Sequence, residues 1–553
     1  MTEKPQVKTT VGGVYWENVY EDFSVKVYTP DYTVPADIIN YSFETPYIIV
    51  FEEKAETIEE AVAFAKAEGL DKAMVPYGGP VVFVYPNCNG GWEEAPSYIY
   101  SKVINESRTG QYHQQGYLTQ YQFRTKDVEG YYIRGAVHRP MVYGVGAAAD
   151  YIAKNCIKKA EGRFLWGPGE VTPVACTMRN ASVMPEVERD DIIIVSSRNS
   201  AEFNAALEGK VKNLIIDDEG TFGQELSELK YYRRILGGLE KQKSLSKLGM
   251  VVEPGYETVT TSPDNGGDDA GTKEHKIGYV VYCNKSALVS GERIPTVMAF
   301  HGGGDSAMII GNFSSGWSLV ANKYNFLLIC VENHLNSTAT ETIELIEKLK
   351  EKYPIDPDRI YATGFSMGGI KSWDMYQEYP NYFTAVAPMS ATTEPGFNVS
   401  FGKSIRLNND TVLPVFYVGG AMSPLPELSK HAEKCFQRLT YVLEVNKCTK
   451  KVNVDYNDRT TWEDEIWALK GDSTVKLNSF QKEGRVMTLE LFDSEDGKCY
   501  TVFGSINDQQ HELHYHQCEY AYRFMSQFRR LQNGTLVGGE KDKIIEEAFS
   551  AEV

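Results

Sequence analysis

A serine in the segment Gly364-Phe365-Ser366-Met367-Gly368-Gly369 has the spacing from glycine that could expose a nucleophile. The apolar run 360–363 precedes the segment and a helix-like stretch, 370–379, follows, so the serine falls at a strand-to-helix turn. Glycines two residues before and two after the serine let the strand and the helix pass closely, which projects the hydroxyl clear of the sheet. The turn also aims the N-terminus of the helix at the serine, where its partial positive charge favours developing negative charge. We therefore predict that Ser366 is a nucleophile that attacks carbonyl carbons.

A glycine-rich loop, His301-Gly302-Gly303-Gly304, follows a predicted strand upstream of the serine. Glycine lets the backbone approach a reacting group closely, so such a loop can direct amide hydrogens at the negative oxygen of a tetrahedral intermediate. We expect the donors to be the N–H of Met367, directly after the nucleophile, and an N–H of Gly303 or Gly304. We interpret His301 as structural.

The general base is expected to be a histidine near the end of the chain. In folds that present a serine at this kind of strand-to-helix turn, the order along the chain is serine, acid, histidine. His511, His514 and His516 lie close together there, ahead of an aromatic helix near 520–528. His511 best fits the loop before that helix, and His514 is the alternative. Three clustered histidines could instead bind a metal, but their spacing is not that of a zinc-binding helix. We expect no metal.

The acid that orients the histidine is expected in the loop after the strand predicted at 412–418. Other residue types stand where an aspartate is usual, and Glu427 is the nearest carboxylate. We predict that Glu427 holds the imidazole and stabilises its protonated form. Asp455 or Asp458 would serve instead if the 430–500 region folds back over the site.

The overall composition is that of a globular protein with an acidic balance. The 553 residues are 42% hydrophobic and 24% charged, with a formal net charge of −19. This charge argues against nucleic acid or an anionic membrane as a partner, because phosphate binding requires clustered Lys and Arg. The N-terminus has no apolar leader pattern, and nine dispersed cysteines fit reduced thiols. We expect a cytoplasmic protein.

Two segments with alternating strand and helix patterns must position these residues, and each predicts an α/β domain. We place the boundary near residue 250, which gives an N-terminal α/β domain over 1–250 and a catalytic domain over 251–553. The predicted strands of the first segment are continuous and rich in β-branched residues, as in a buried parallel sheet. They are 47–51, 81–85, 192–195 and 214–216.

Taken together, the serine motif, the glycine-rich loop and the late histidine resemble the α/β-hydrolase superfamily. Residues 300–388 look most like bacterial esterases of the polyhydroxybutyrate-depolymerase and feruloyl-esterase-like group, and the resemblance covers about 275–530. It implies an α/β-hydrolase fold in the C-terminal half, chemistry by a Ser-His-acid triad, and no cofactor. The missing aspartate is a departure from the pattern of the family.

The N-terminal half contains a segment, 139–150, that resembles a nucleophile elbow in which Gly146 replaces the serine. A helix-like stretch, 147–159, follows it. One hypothesis is a degenerate hydrolase-like copy without a nucleophile. The alternative is an unrelated α/β domain with a Gly-Ala turn, and different strand orders in the two halves would favour that alternative.

The expected function is that of a serine hydrolase that cleaves a carboxylic ester of a small molecule through an acyl-enzyme intermediate. A peptidase or thioesterase with the same triad is an alternative. A binding protein that uses a catalytically silent hydrolase cleft is another, since the usual aspartate is missing. The expected partner is the small-molecule ester, and a homo-oligomer stays open.

Overall fold

The chain divides into two compact units, residues 1–234 and residues 235–553 without 304–306. The boundary near residue 250 stays a prediction, because most of 226–247 lies outside the described residues. The computed structural model describes residues 8–30, 47–54, 56–70, 81–104, 140–157, 173, 175–187, 192–211, 213–223, 225, 245, 248–267, 269–303, 307, 310, 311, 315–332, 334–401, 406–478 and 484–550.

The first unit is built on a nine-stranded sheet with the order β1-β2-β3-β5-β4-β6-β7-β8-β9. The pairs from β1 to β5 are antiparallel, and the pairs from β5 to β9 are parallel. The strands are β1 (Lys8–Thr10), β2 (Gly13–Val19), β3 (Phe23–Pro30), β4 (Tyr47–Phe51), β5 (Val81–Pro86), β6 (Pro140–Val145), β7 (Ala175–Arg179), β8 (Ile193–Ser196) and β9 (Asn213–Ile216). The helices are α1 (Ile58–Ala67), α2 (Ala147–Asn155) and α3 (Ala201–Leu207), with a 3₁₀ turn at Gly91–Glu93.

The second unit is built on a ten-stranded sheet with the order β10-β11-β13-β12-β14-β15-β16-β19-β18-β17. Six strands, from β13 to β19 in this order, are parallel, and an antiparallel pair flanks them on either side. The strands are β10 (Met250–Thr260), β11 (Glu274–Asn284), β12 (Ile294–Phe300), β13 (Leu327–Val331), β14 (Ile355–Phe365), β15 (Ala385–Met389), β16 (Val415–Gly420), β17 (Ser473–Leu477), β18 (Met487–Asp493) and β19 (Cys499–Ile506).

The helices of the second unit connect these strands. They are α4 (Lys285–Val289), α5 (Trp317–Tyr324), α6 (Ala339–Lys350), α7 (Met367–Glu378), α8 (Glu433–Val445), α9 (Tyr515–Met525) and α10 (Lys541–Lys543), which continues as a π turn at Ile544–Ala548. Short 3₁₀ turns lie at His334–Asn336 and Arg459–Thr461, and a small two-stranded sheet pairs β20 (Phe528–Arg530) with β21 (Leu536–Gly538). Among the described residues, every helix is too short or too polar to cross a bilayer.

Local sequence signals account for these elements. The side chain of Thr338 accepts a hydrogen bond from Glu341 N at 3.1 Å, and Glu341 Oε2 accepts one from Thr338 N at 2.9 Å, so the predicted capping box begins α6. Leu345, Ile346 and Leu349 bury one face of α6 against the sheet core. The central parallel strands are buried along their whole length, as expected for a parallel sheet that is covered on both faces.

The two sheets share one strand pattern. In the first unit β2-β3-β5-β4-β6-β7-β8-β9 has the same sequence of antiparallel and parallel pairs as β10-β11-β13-β12-β14-β15-β16-β19 in the second. In both, the third and fourth strands along the chain exchange places in the sheet. Both units are therefore α/β folds with the same order over eight strands.

Candidate active site

Ser366 occupies a strained turn between β14 and α7. Its φ of 54° and ψ of −120° lie in a region that residues with a side chain rarely adopt. Neighbouring elements hold the turn, because Ser366 N donates to Met389 O of β15 at 3.0 Å and Ser366 O accepts from Ile370 N of α7 at 3.0 Å. The predicted strand, turn and helix are all present, and they place the hydroxyl at the carboxyl end of the parallel strands.

The glycines around the serine are required by close packing. A Cβ atom on Gly364 would lie 2.2 Å from Gly368 O, and a Cβ atom on Gly368 would lie 1.9 Å from Phe300 O. Real Cβ atoms essentially never approach other atoms this closely. Any larger residue would therefore push α7 away from the sheet, and with it the turn that presents Ser366.

His511 joins the serine to a carboxylate. Nε2 of His511 lies 2.9 Å from Ser366 Oγ, and Nδ1 lies 2.6 Å from Glu427 Oε1. Because an ionised carboxylate can only accept, Nδ1 carries the proton and Nε2 is left to accept the serine hydroxyl. The structure thus brings together the predicted nucleophile, the predicted base and the predicted acid in one chain of hydrogen bonds.

Glu427 is held firmly within the loop that follows β16. Its side chain is fully buried, and its second oxygen, Oε2, accepts a hydrogen bond from Gly420 N at 2.6 Å. A Cβ atom on Gly419 would lie 2.9 Å from Glu427 Cβ, so a glycine is needed for the side chain to fold back against the strand. The backbone is held as well, because Glu427 N donates to Nδ1 of His431, whose pKa is lowered by burial. Since Oε1 lies against His511 and Oε2 accepts from Gly420 N, both carboxylate oxygens of Glu427 have partners.

The alternative residues lie elsewhere. His514 is the N-cap of α9, and its Nε2 lies 3.0 Å from Glu512 Oε2. Asp455 and Asp458 lie on an exposed loop, where each accepts hydrogen bonds from residues of its own turn. His516, the third of the clustered histidines, lies in the first turn of α9, and burial lowers the pKa of its imidazole. Within the part of the chain that the structure describes, no three His, Cys, Asp or Glu side chains are grouped to hold a metal ion.

The glycine-rich loop passes beside the nucleophile. A Cβ atom on Gly302 would lie 3.6 Å from Ser366 Cβ, so the backbone here comes as close as predicted. Buried His301 lies 2.7 Å through Nδ1 from Gly302 O, which agrees with a structural part for this residue. Gly303 is half-buried in the turn that follows, and Met367 begins α7. Gly304 lies outside the described residues.

Two features that support the base are not apparent from the sequence motifs. The ring of Phe365 stacks on the imidazole of His511, with centroids 4.8 Å apart and planes at 29°. Ser390, at the end of β15, donates from Oγ to Glu512 O at 3.3 Å and so anchors the residue after the base. Phe365 lies within the serine motif, but nothing in its spacing indicates that it would pack against a residue 146 positions later.

The arrangement as a whole is the one found in serine hydrolases: a strained serine at a strand-to-helix turn, an imidazole and a buried carboxylate in hydrogen-bonded order.

The chain is similar in sequence to two curated proteins over short stretches. It is 24% identical over 115 residues to poly(3-hydroxyalkanoate) depolymerase C of Paucimonas lemoignei, which covers 17% of this chain and 27% of the relative. It is 36% identical over 77 residues to a bifunctional acetylxylan esterase/xylanase of Neocallimastix patriciarum, which covers 14% of this chain and 10% of the relative. The matches span a small part of either relative, and no family model matches the chain.

The structure also resembles solved structures that are named as esterases. An acetyl xylan esterase from Aspergillus awamori is 12% identical, with a TM-score of 0.31 over 47% of this chain and 96% of that one. A feruloyl esterase module from Clostridium thermocellum is 13% identical, with a TM-score of 0.28 over 48% and 84%. A thermostable esterase is 19% identical, with a TM-score of 0.26 over 36% and 52%.

Proposed function

We propose that the second unit is a serine hydrolase that cleaves a carboxylic ester of a small molecule through an acyl-enzyme intermediate. One observation carries the proposal: Ser366 Oγ, His511 and the Glu427 carboxylate form a continuous chain of hydrogen bonds of 2.9 Å and 2.6 Å. The strands that carry these loops are paired by backbone hydrogen bonds of their own. The strained backbone of Ser366 also fits a functional rather than a structural position.

Acylation follows from the geometry. Ser366 Oγ attacks the carbonyl carbon of the ester while its proton moves to Nε2 of His511. The carbonyl oxygen becomes negative and is stabilised by amide hydrogens of the elbow and the glycine-rich loop, for which we propose Met367 and Gly303 or Gly304. The bond to the leaving oxygen then breaks, and His511 gives its proton to the departing alcohol.

Deacylation repeats these steps with water. His511 takes a proton from a water molecule as its oxygen attacks the acyl carbon, and then returns that proton to Ser366 Oγ as the acyl group leaves as a carboxylic acid. Glu427 stays ionised throughout and faces the imidazolium that forms in each half-reaction. Its burial strengthens this interaction, because water does not screen it.

Covalent labelling with a fluorophosphonate tests the proposal directly. We expect the wild-type protein to form one adduct, on Ser366. The Ser366→Ala variant should form no adduct, and its kcat for p-nitrophenyl acetate should fall by about 10⁴-fold or more. Ser290→Ala, a matched exposed serine after α4, should label and turn over like the wild type. An unlabelled wild-type protein would favour a binding protein on a hydrolase scaffold.

The scissile bond is decided by a second measurement. One of the short sequence matches is to a protein named as an acetylxylan esterase, and this favours an ester over the other acyl compounds. Matched p-nitrophenyl esters, thioesters and aminoacyl amides would be compared by kcat/KM. Higher values for the thioester or the amide would replace the proposed esterase by a thioesterase or a peptidase with the same triad.

We infer further that the first unit is a degenerate, non-catalytic copy of the same fold. The equal order over eight strands supports this, as does the turn at Gly146, whose φ of 58° and ψ of −123° almost equal those of Ser366. Gly146 N donates to Arg179 O at the end of the neighbouring strand at 2.9 Å, just as Ser366 N donates to Met389 O at 3.0 Å. An unrelated α/β domain would have no reason to repeat this hydrogen bond.

A carboxylate occupies the anion position of the first unit. Ala147 N, which corresponds to Met367 N, donates to Glu53 Oε1 at 3.1 Å. Glu53 follows β4 as Gly302 follows β12, so an acidic side chain replaces a glycine of the oxyanion loop. In this copy both the nucleophile and the space for an oxyanion are absent, and packing or shaping of the protein is its proposed role.

A further inference from the structure

We propose that Arg485 is a positioning residue for the base His511, which it acts upon through the loop 507–514. This inference rests on the proposed hydrolase function. Arg485 lies just before β18, in the region that extends the parallel sheet by two antiparallel strands. Its side chain contacts Asp508 and Glu512, so it can act on the imidazole through the backbone that carries it.

The segment around Arg485 docks on the start of the base loop. Asn507 N donates to Val486 O at 3.1 Å, Asn507 Nδ2 donates to Gly484 O at 3.1 Å, and Val486 N donates to Asn507 Oδ1 at 2.5 Å. Three hydrogen bonds therefore fasten residues 484–486 to the first residue after β19. This docking brings Arg485 under the loop, where it is 8% exposed.

The guanidinium of Arg485 reaches the loop on both sides of the base. Its Nη2 donates to Asp508 O at 2.7 Å and lies 3.4 Å from Glu512 Oε1. Asp508 has a φ of 47°, in the left-handed region, and the hydrogen bond from Arg485 fixes its carbonyl. One planar group thus bridges residues 508 and 512, and His511 lies in the short span between them.

Glu512 transmits this support to the imidazole. Its carboxylate also lies 3.0 Å from His514 Nε2, and its carbonyl accepts from Ser390 Oγ at 3.3 Å and from Gln509 Nε2 at 3.1 Å. Arg485 Nη1 is 3.4 Å from the same nitrogen of His514, which cannot accept from the guanidinium while it donates to Glu512. The carboxylate of Glu512 is therefore the partner that ties the arginine to the residue next to the base.

The consequence for catalysis is a matter of alignment. His511 must remain within hydrogen-bond reach of both the hydroxyl and the carboxylate, and a displacement of about 1 Å can lower a rate by about 10²-fold. The guanidinium is rigid and presents its donors in fixed directions, whereas a lysine ammonium is a single point of charge on a flexible stem. A lysine ammonium could also donate to Asp508 O and Glu512, but its flexible stem would hold the two acceptors less rigidly.

Kinetics of Arg485→Met and Arg485→Lys test the proposal, with p-nitrophenyl acetate as substrate and fluorophosphonate titration to count competent sites. We expect Arg485→Met to lower kcat per titrated site by roughly 10- to 100-fold with little change in KM. Arg485→Lys should recover part of that loss. The matched control is Arg529→Met, which removes an exposed arginine paired with Asp358 and should leave kcat unchanged.

Two outcomes would overturn the proposal. If Arg485→Met lowers only the melting temperature, with wild-type kcat per titrated site, the arginine is structural and does not position the base. If Arg485→Met does not fold, Glu512→Ala removes the acceptor at the other end of the bridge, and a wild-type kcat in that variant would also refute the role. Failure of the hydrolase proposal looks different, because the wild-type protein itself would then form no adduct at Ser366.

Discussion

Nδ1 of His511 lies 2.6 Å from Oε1 of Glu427, although the two residues are 84 positions apart. The carboxylate comes from a loop that returns to its own strand, because Glu427 Oε2 also accepts from Gly420 N at 2.6 Å. Ala421 N and Met422 N donate to Ile506 O and Gln509 O, both at 2.8 Å, so the acid loop and the base loop are joined directly. A glutamate thus takes the place in which an aspartate is usual.

Two substitutions of Glu427 should distinguish the effect of its negative charge on kcat from the effect of its side-chain length. Glu427→Gln offers one acceptor oxygen to two donors, His511 Nδ1 and Gly420 N, and it removes the charge that faces the imidazolium. We expect kcat to fall by about 10³- to 10⁴-fold, as for other triads that lose this charge. Glu427→Asp keeps the charge but retracts it by one methylene, and we expect a smaller fall of roughly 10- to 100-fold.

The measurement is kcat for p-nitrophenyl acetate per folded protein, with circular dichroism as the check of folding. Glu444→Gln is the matched control, since this glutamate is exposed on α8 and should leave kcat unchanged. A Glu427→Gln variant with wild-type turnover would show that the carboxylate does not take part in catalysis. Equal losses in both variants would show that reach matters as much as charge.

Much of the site could be predicted because its signals are local. The serine motif specifies its own turn through Gly364 and Gly368, and the capping box at Thr338 specifies where α6 begins. The continuous apolar runs predict parallel strands because burial on both faces leaves no alternation. The prediction of an α/β fold in both halves depended on patterns of this kind and is confirmed by the two sheets.

Other features depend on residues that are distant in sequence. The antiparallel strands β10 and β17 were not predicted, since β10 contains Pro254 and Gly255 and β17 is short and half exposed. Arg485 gives no local signal at all, because its importance lies in the two loop atoms that it reaches across the fold. The sequence left Asp455 and Asp458 as alternatives to Glu427 for the same reason, because the contact of Glu427 with the base forms only in the folded loop.

Restoring a serine to the first unit should not restore a reactive site. Gly146→Ser would place a Cβ atom 3.0 Å from Glu53 Oε1. It would also force a residue with a side chain to adopt a φ of 58°. We expect no fluorophosphonate adduct in Gly146→Ser/Ser366→Ala, because the carboxylate already holds the N–H of Ala147. The melting temperature should fall because of this contact and the positive φ. An adduct at position 146 would contradict the inferred loss of the oxyanion space.

The stability of the first unit should depend on Glu52. Burial and, to a smaller extent, the negative charges of Glu56, Glu53 and Glu68 together raise the pKa of Glu52 to about 7. Since the unfolded chain releases this proton near its ordinary value of 4.5, unfolding becomes more favourable as the pH rises from about 4.5 to about 7. Glu52→Gln removes this penalty, so it should raise the melting temperature at pH 8 more than at pH 4.5.

Differential scanning calorimetry at the two pH values measures this difference, with Glu208→Gln as an exposed control after α3. The buried Glu225 carboxylate, whose pKa burial also raises to about 7, should leave a residual slope in the variant. A Glu52→Gln protein that gains more stability at pH 4.5 than at pH 8 would reverse the expected sign and would place an ionised Glu52 in the folded protein.

A methyl group at Gly302 should impair the chemistry more than the fold. The new Cβ atom would lie 3.2 Å from the ring of Phe365, so it would displace the ring that stacks on His511. We expect Gly302→Ala to lower kcat by about 10²-fold while the melting temperature changes little, because the contact at 3.2 Å is with a side chain that can move. Gly266→Ala is the control, since its Cβ would meet only Phe401, at 3.4 Å or more. Unchanged turnover in Gly302→Ala, measured beside that control, would mean that catalysis does not depend on the position of the Phe365 ring against His511.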